Sequence, residues 1–133
     1  MPDALICPCG SGHEYRQCCA PYLTWQVPAA TAEQLMRSRY TAYVMHDKDY
    51  LLATWHASTR PAQLQLETDV PTSWLGLKIV ATIAGKAQDP DGMVEFIARY
   101  KLNGKAHRLH EESRFVREQG RWLYVSGTIR HGS

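Results

Sequence analysis

The stretch VEFIARYKLNGKAHRLHEESRF, Val94 to Phe115, decides the fold. Two alternating runs flank Asn103-Gly104, and a two-residue I′ turn needs positive φ at both positions, which this dipeptide tolerates best. Such a loop fixes the register: Leu102 opposite Lys105, Tyr100 opposite His107, Ala98 opposite Leu109, Phe96 opposite Glu111 and Val94 opposite Ser113. Opposed residues share a face. One face therefore carries Val94, Phe96, Ala98, Tyr100, Leu109 and Phe115, and reads as core. The other carries Glu95, Arg99, Lys101, Arg108, His110, Glu112 and Arg114, a solvated face laced with cross-strand ion pairs.

Three polar residues fall on the core face: His107, Glu111 and Ser113. A carboxylate among aromatic rings must be paired, protonated or functional, because burying it charged and alone is costly. Two readings stay open. In the first, Glu111 pairs with Arg37 or Arg39 of a preceding helix, or accepts from a buried tyrosine, and orients helix on sheet. In the second it is the polar anchor or general base of a pocket lined by Tyr40, Tyr43, Trp55 and Phe96, with His107 and Ser113 as auxiliaries.

Working outward, Gln119-Gly120 predicts a further hairpin into a strand from Arg121 to Ile129, and Asp89-Pro90-Asp91-Gly92 a turn into the strand that begins at Met93. The strand before that turn is expected to place Leu75, Leu77, Ile79, Ala81 and Ile83 on one face and Lys78 and Thr82 on the other. Upstream of Asp69-Val70-Pro71 the period is helical. Thr31 and Gln34 stand as a capping box, with Glu33 in the first turn and Met36, Tyr40, Tyr43 and Val44 as the buried stripe. Asp47 restarts the chain into a short helix with Leu51, Leu52 and Trp55 on its apolar face, and Arg60-Pro61 predicts another helical turn through Leu64. Helices followed by a four-stranded meander give an α+β fold, helices packed on one face of a curved antiparallel sheet.

All four cysteines lie at the other end of the chain, in ICPCGSGHEYRQCCA, Ile6 to Ala20. Two close pairs, Cys7 with Cys9 and Cys18 with Cys19, are separated by a short return loop and can wrap one tetrahedral ion, leaving no open position. Pro8 stiffens the first pair, Gly10 and Gly12 supply positive φ, and Tyr15 is placed to shield the site. Adjacent cysteines bridge poorly, and Met1 to Ile6 has neither a basic nor an apolar leader segment, so a disulfide framework is not expected. Zinc suits an all-thiolate tetrahedron better than an iron–sulfur cluster suits this spacing. One structural zinc ion with four thiolates brings the formal charge of +2 to near zero. Tyr22, Leu23 and Trp25 are too apolar for a free tether, so the segment after the cysteines is expected to pack them against the domain.

The pattern Cys-Pro-Cys-Gly-Ser-Gly-x-x-Tyr-x-x-Cys-Cys resembles the SEC-C motif, named for the zinc-binding tail of the SecA preprotein translocase, where it implies contact with the SecB chaperone and with acidic phospholipid. Leu35 to Tyr43, Tyr50 with Thr54-Trp55, and His110 to Phe115 before Gly120 to Tyr124 resemble the bacterial YchJ-type family. That likeness implies a cone of helices on a strongly bent sheet, similar to the nuclear transport factor 2 and cystatin folds. It divides the chain into a SEC-C motif at residues 1–20, a connector at 21–30 and the α+β domain at 31–133.

Composition narrows the function. With 133 residues, 44% hydrophobic and 21% charged, the chain builds one core, and no apolar run reaches the length of a membrane span. No cluster of Lys and Arg with interleaved aromatics argues for nucleic acid. His107 and His110, three apart in a strand, point to opposite faces and make no metal pair. Asp89, Asp91 and Gly92 lack the later ligands of a calcium loop, and His13 is expected at the surface. With a closed metal site and no recognisable nucleophile–base pair, the sequence reads as a cytoplasmic, non-enzymatic adaptor that meets a protein partner through the zinc knuckle. A small-molecule ligand or hydrolase or isomerase chemistry at Glu111 is the rival. Association with anionic lipid and formation of a homodimer are further expectations.

Overall fold

The computed structural model describes residues 5–64 and 72–129. In chain order these form a 3-10 turn at Tyr15–Gln17, α1 (Ala20–Leu23), α2 (Ala32–Val44), α3 (Lys48–Ala53), β1 (Thr72–Ala84), β2 (Asp91–Leu102), β3 (Lys105–Glu118) and β4 (Arg121–Ile129). The strands are antiparallel neighbours in the order β1-β2-β3-β4. The predicted change of period at Asp69-Val70-Pro71 lies outside the described residues.

The Asn103-Gly104 turn has φ of 53° and 79°, and β2 pairs with β3 in the register this turn dictates. Val94, Phe96, Ala98 and Phe115 are buried on the inner face, together with Ser113. On the outer face the directly opposed residues carry like charges, Glu95 facing Glu112 and Arg99 facing Arg108. Attraction there runs diagonally instead: His110 Nε2 lies 2.6 Å from Glu95 Oε2. Gln119-Gly120 forms the third hairpin, again with positive φ at both residues.

β1 departs from the simple alternation. Its pairing with β2 shifts between Trp74 and Gly76 and again between Ile79 and Ala81, so Leu75 and Val80 are bulged residues. Each bulge inverts the facing of the residues after it. Leu77 and Ile79 face inward as expected, joined by Trp74, but Ala81 and Ile83 move to the outer face and Thr82 to the side of Val94. Leu75 and Ile83, expected in the core, are 53% and 64% exposed.

The helices differ from expectation in two respects. α2 is buried almost all round rather than along one stripe: Leu35, Ser38, Arg39, Thr41 and Ala42 are buried with Met36 and Tyr40, whereas Tyr43 and Val44 are only half-buried. Its N-terminus is capped by Thr31 Oγ1, which accepts from Gln34 N at 3.1 Å, but Gln34 Oε1 accepts from Ala30 N at 2.8 Å rather than from Thr31. The second departure is at Arg60 to Leu64, which is not helical. The turn closes earlier, where Thr59 N and Arg60 N both donate to His56 O, and Thr59 Oγ1 donates to Val125 O at a bulge of β4. Pro61 has no N–H with which to continue it.

α3 is capped by Asp47, whose Oδ1 accepts from Tyr50 N. Beyond it, Tyr124 N donates to Thr54 O and His56 N to Tyr124 O, so the chain after α3 covers the free edge of β4. No helix among the described residues is long and apolar enough to cross a membrane.

Nothing stands within 4 Å of the position a Cβ would take at Gly104, so its φ alone limits substitution. Gly104→Ala is expected to cost about 1–2 kcal/mol in urea unfolding, with the cross-strand contacts of β2 and β3 unchanged. A loss near zero, or a slipped register in its NMR cross-strand contacts, would contradict the turn assignment.

Candidate metal centre

Cys7, Cys9 and Cys19 are 2%, 0% and 1% exposed, and Cys18 is half-buried. Their four Sγ atoms all lie within 4.8 Å of one another, with Cys9 to Cys18 at 3.6 Å and Cys18 to Cys19 at 4.0 Å. Four bonds of about 2.3 Å to a tetrahedral ion place sulfurs about 3.8 Å apart. The cluster has that size and could bind a metal. It is too open for disulfides, which need about 2.05 Å.

Local sequence produces this geometry. Cys7 N donates to His13 O at 2.8 Å and Tyr15 N to Leu5 O at 2.8 Å, a short ladder that returns the chain. Gly10 and Gly12, both at positive φ, turn it. The 3-10 turn then brings Cys18 back, and α1 starts directly after Cys19. Tyr15 packs beside the buried cysteines, and burial followed by the Cys19 and Cys7 charges raises its pKa.

The thiols divide a small number of protons. Hydrogen bonds from Cys19 and then Cys7 lower the Cys9 thiol well below its ordinary range, whereas its bonds with Cys7 and then Cys9, followed by burial, push Cys19 upward. Burial raises Cys18 to about 11. Four negative sulfurs cannot share so small a volume without a cation, so metal binding here must displace protons.

Two residues of α2 reach the cluster. Thr41, fully buried, donates its hydroxyl to Cys19 Sγ at 3.3 Å and lies 3.6 Å from Cys7 Sγ. Arg37 Nη1 donates to Cys9 O at 2.8 Å while its Nε pairs with Glu33 at 3.0 Å. Burial opposes the Arg37 charge, but the Glu33 and Cys9 bonds outweigh it and raise its pKa. Ser11 Oγ, 3.1 Å from Cys18 Sγ, completes the polar surround. Gly10 also sits against β1, where a Cβ would run into the carbonyl of Leu77. The knuckle is thus clamped to helix and sheet. Thr41 was not singled out from the sequence; its only signal is that it follows Arg37 by one helical turn and shares its face.

The residues proposed around Glu111 are distributed differently. Among the described residues neither arginine forms an ion pair with Glu111. Arg39, 3% exposed, donates through Nη1 to Leu51 O at 2.8 Å and Thr54 Oγ1 at 2.7 Å. Its guanidinium carbon lies 5.0 Å from the Trp55 ring and 4.6 Å from the Tyr124 ring. Carbonyls and π faces replace the expected carboxylate. Glu111 lies over Gly127, bonded to Ser113, with the Tyr124 hydroxyl nearby. Phe96 is its cross-strand partner, and Trp55 packs edge-on against Tyr124. Tyr40 and Tyr43 pack instead on Trp74, and His107 is exposed, stacked on Tyr100 at 5.2 Å.

Burial raises the Glu111 pKa, partly offset by the Ser113 bond. The native state therefore holds this proton to higher pH than the unfolded chain, and stability falls as pH rises from the ordinary glutamate value through the raised one. Above that window the penalty is complete. Glu111→Gln is expected to melt at or above the wild-type temperature at pH 7, the difference closing as pH falls toward the ordinary carboxylate range. Clear destabilisation at pH 7 would show that the carboxylate has an ionic partner. At the cluster, Thr41→Val keeps volume but removes the donor, and metal affinity by chelator competition is expected to fall about 10–100-fold. Unchanged affinity would remove Thr41 from the site.

Comparisons with known proteins agree with these elements. Residues 31–127 match the family model described as YchJ, middle NTF2-like domain, and residues 6–21 match the SEC-C motif. A UPF0225 protein of Chromobacterium violaceum is 54% identical over 125 residues, covering 92% of each chain. One from Pectobacterium carotovorum is 49% identical over 127 residues, covering 91% of this chain and 81% of its own. The solution structure of a SEC-C motif containing protein from Rhodopseudomonas palustris superposes with a TM-score of 0.81 at 34% identity, over 95% of this chain and 99% of that one. The crystal structure of a SEC-C motif containing protein from Psychrobacter arcticus gives 0.72 at 28% identity, over 98% and 86%. With a SEC-C cysteine cluster docked on an NTF2-like α+β domain across nearly its whole length, the chain belongs to the YchJ-type, UPF0225 family.

Proposed function

We propose that the chain is a non-enzymatic, zinc-binding interaction module of the cytoplasm, in which the knuckle holds one structural zinc ion and offers its outer surface to a protein partner. One observation carries this reading: the cluster is closed on its inner side by α2 and β1, while the loop around it faces solvent. Leu5 and Ile6 are 51% and 61% exposed, beside exposed Gly12, His13, Arg16 and Gln17. An apolar pair next to a cation suits a partner segment that brings an apolar side chain and an acidic group. All-thiolate ligation favours zinc, and a reducing compartment keeps the thiols available for it.

The surface can be changed without touching the ligands. Metal-loaded wild type and an Ile6→Ser, Arg16→Glu double variant are compared as baits in lysate and against vesicles of anionic lipid. Proteins captured by the wild type and lost with the variant are expected. Identical capture by both baits would remove the knuckle as the binding element, and retention by anionic vesicles alone, lost at moderate salt, would move the partner from protein to membrane.

A further inference from the structure

At the end of the sheet where β1 turns into β2, the outer face is not uniformly polar. The strand registers place Ile83, Met93, Arg114 and Ser126 in one row across all four strands, and Asp91, Val116 and Leu123 in the next row on the same face. A depression of about 270 Å³ lies along these rows, with Val125, the bulged residue of β4, in its wall. Ile83 is 64% exposed, turned out of the core by the bulge at Val80, and Met93 and Val116 beside it are half-buried.

One acid and one base stand on this apolar ground. Asp91 and Arg114 are both exposed and both line the depression, and neither side chain has a hydrogen-bond or ion-pair partner among the described residues. Asp91 pairs across β2 and β3 with Val116, and Arg114 with Met93, so the four residues are the corners of one rectangle on the outer face. The acid and the base lie on one diagonal, with backbones about 7–8 Å apart. Met93 and Val116 lie on the other.

A two-fold axis laid along the apolar diagonal sets Met93 and Val116 against their own copies. The same operation carries Asp91 onto the partner's Arg114, and Arg114 onto the partner's Asp91. An interface between identical chains needs this property, that when one residue meets a second, the second meets the first. We infer that this end of the outer sheet face docks on a second copy of the chain, with Met93 and Val116 at the axis and an Asp91–Arg114 pair on either side. Apolar contact at the centre supplies the affinity, and the two charge pairs set the orientation. No cysteine and no residue of the knuckle's exposed loop belongs to this surface, so the two surfaces can fail separately.

The test is sedimentation velocity on the metal-loaded full chain, from micromolar to sub-millimolar concentration. The wild type is expected to pass from monomer to dimer and to stop there. Asp91→Arg and Arg114→Asp each set like charges against one another, twice by symmetry, and each is expected to weaken the dimer about tenfold or more. An equimolar mixture of the two variants restores both opposite pairs and is expected to associate as the wild type does, which neither variant could do if it had lost its fold. A wild type that stays monomeric throughout, single variants that associate as tightly as the wild type, or a mixture no tighter than either variant alone would each overturn the assignment. So would growth beyond the dimer, the mark of a head-to-tail contact that does not close.

Discussion

The hydroxyl of Thr41 on the sulfur of Cys19, with Arg37 on the carbonyl of Cys9 one helical turn away, is the contact on which the rest of the structure depends. It joins a short sulfur-rich loop to the helix that every other layer uses. α2 meets the sheet through Tyr40, whose ring packs edge-on against Trp74 of β1, α3 through Ser38 and Arg39, and the knuckle through Arg37 and Thr41. A helix contacted on all sides need not be apolar on all sides, provided each buried polar group has a partner. No buried side-chain nitrogen or oxygen among the described residues lacks one.

This arrangement changes the meaning of the metal. In a free knuckle, binding energy would organise only the loop. Here Cys7, Cys9 and Cys19 are part of the same buried cluster as Leu23, Leu35, Met36 and Leu51, with Cys18 packed against it, so an ion held by these thiols would link its affinity to the stability of the domain. Arg37 supplies positive charge beside the thiolates, and Thr41 supplies a donor where water is excluded. The outer side of the loop stays in solvent while its buried side is held still by α2.

Much of this was legible in the chain. Asn103-Gly104 determines the register of β2 on β3 because a two-residue turn leaves no slack, and the spacing of two close cysteine pairs points to the four-sulfur cluster that could hold a metal. The bulges at Leu75 and Val80 were not legible: an extra residue in a strand of apolar side chains looks like another core position until the pairing is known. Arg39 was misread for a different reason. Sequence shows a carboxylate on the core face in need of a partner, but not that Arg39 would be held by carbonyl and hydroxyl oxygens and by the rings of Trp55 and Tyr124 instead of by Glu111. The orientation of Thr41 depended on where the knuckle docks, and nothing local to α2 encodes that.

The central claim, that the metal-loaded knuckle and α2 form one cooperative unit, is tested most directly by amide hydrogen exchange on the chain with and without its metal. Protection of Leu35 to Val44 is expected to fall together with that of Cys7 to Cys19 when the ion is removed, while the hairpin around Asn103 changes less. Loss of protection confined to the cysteine loop, with α2 exchanging at the same rate in both states, would contradict it.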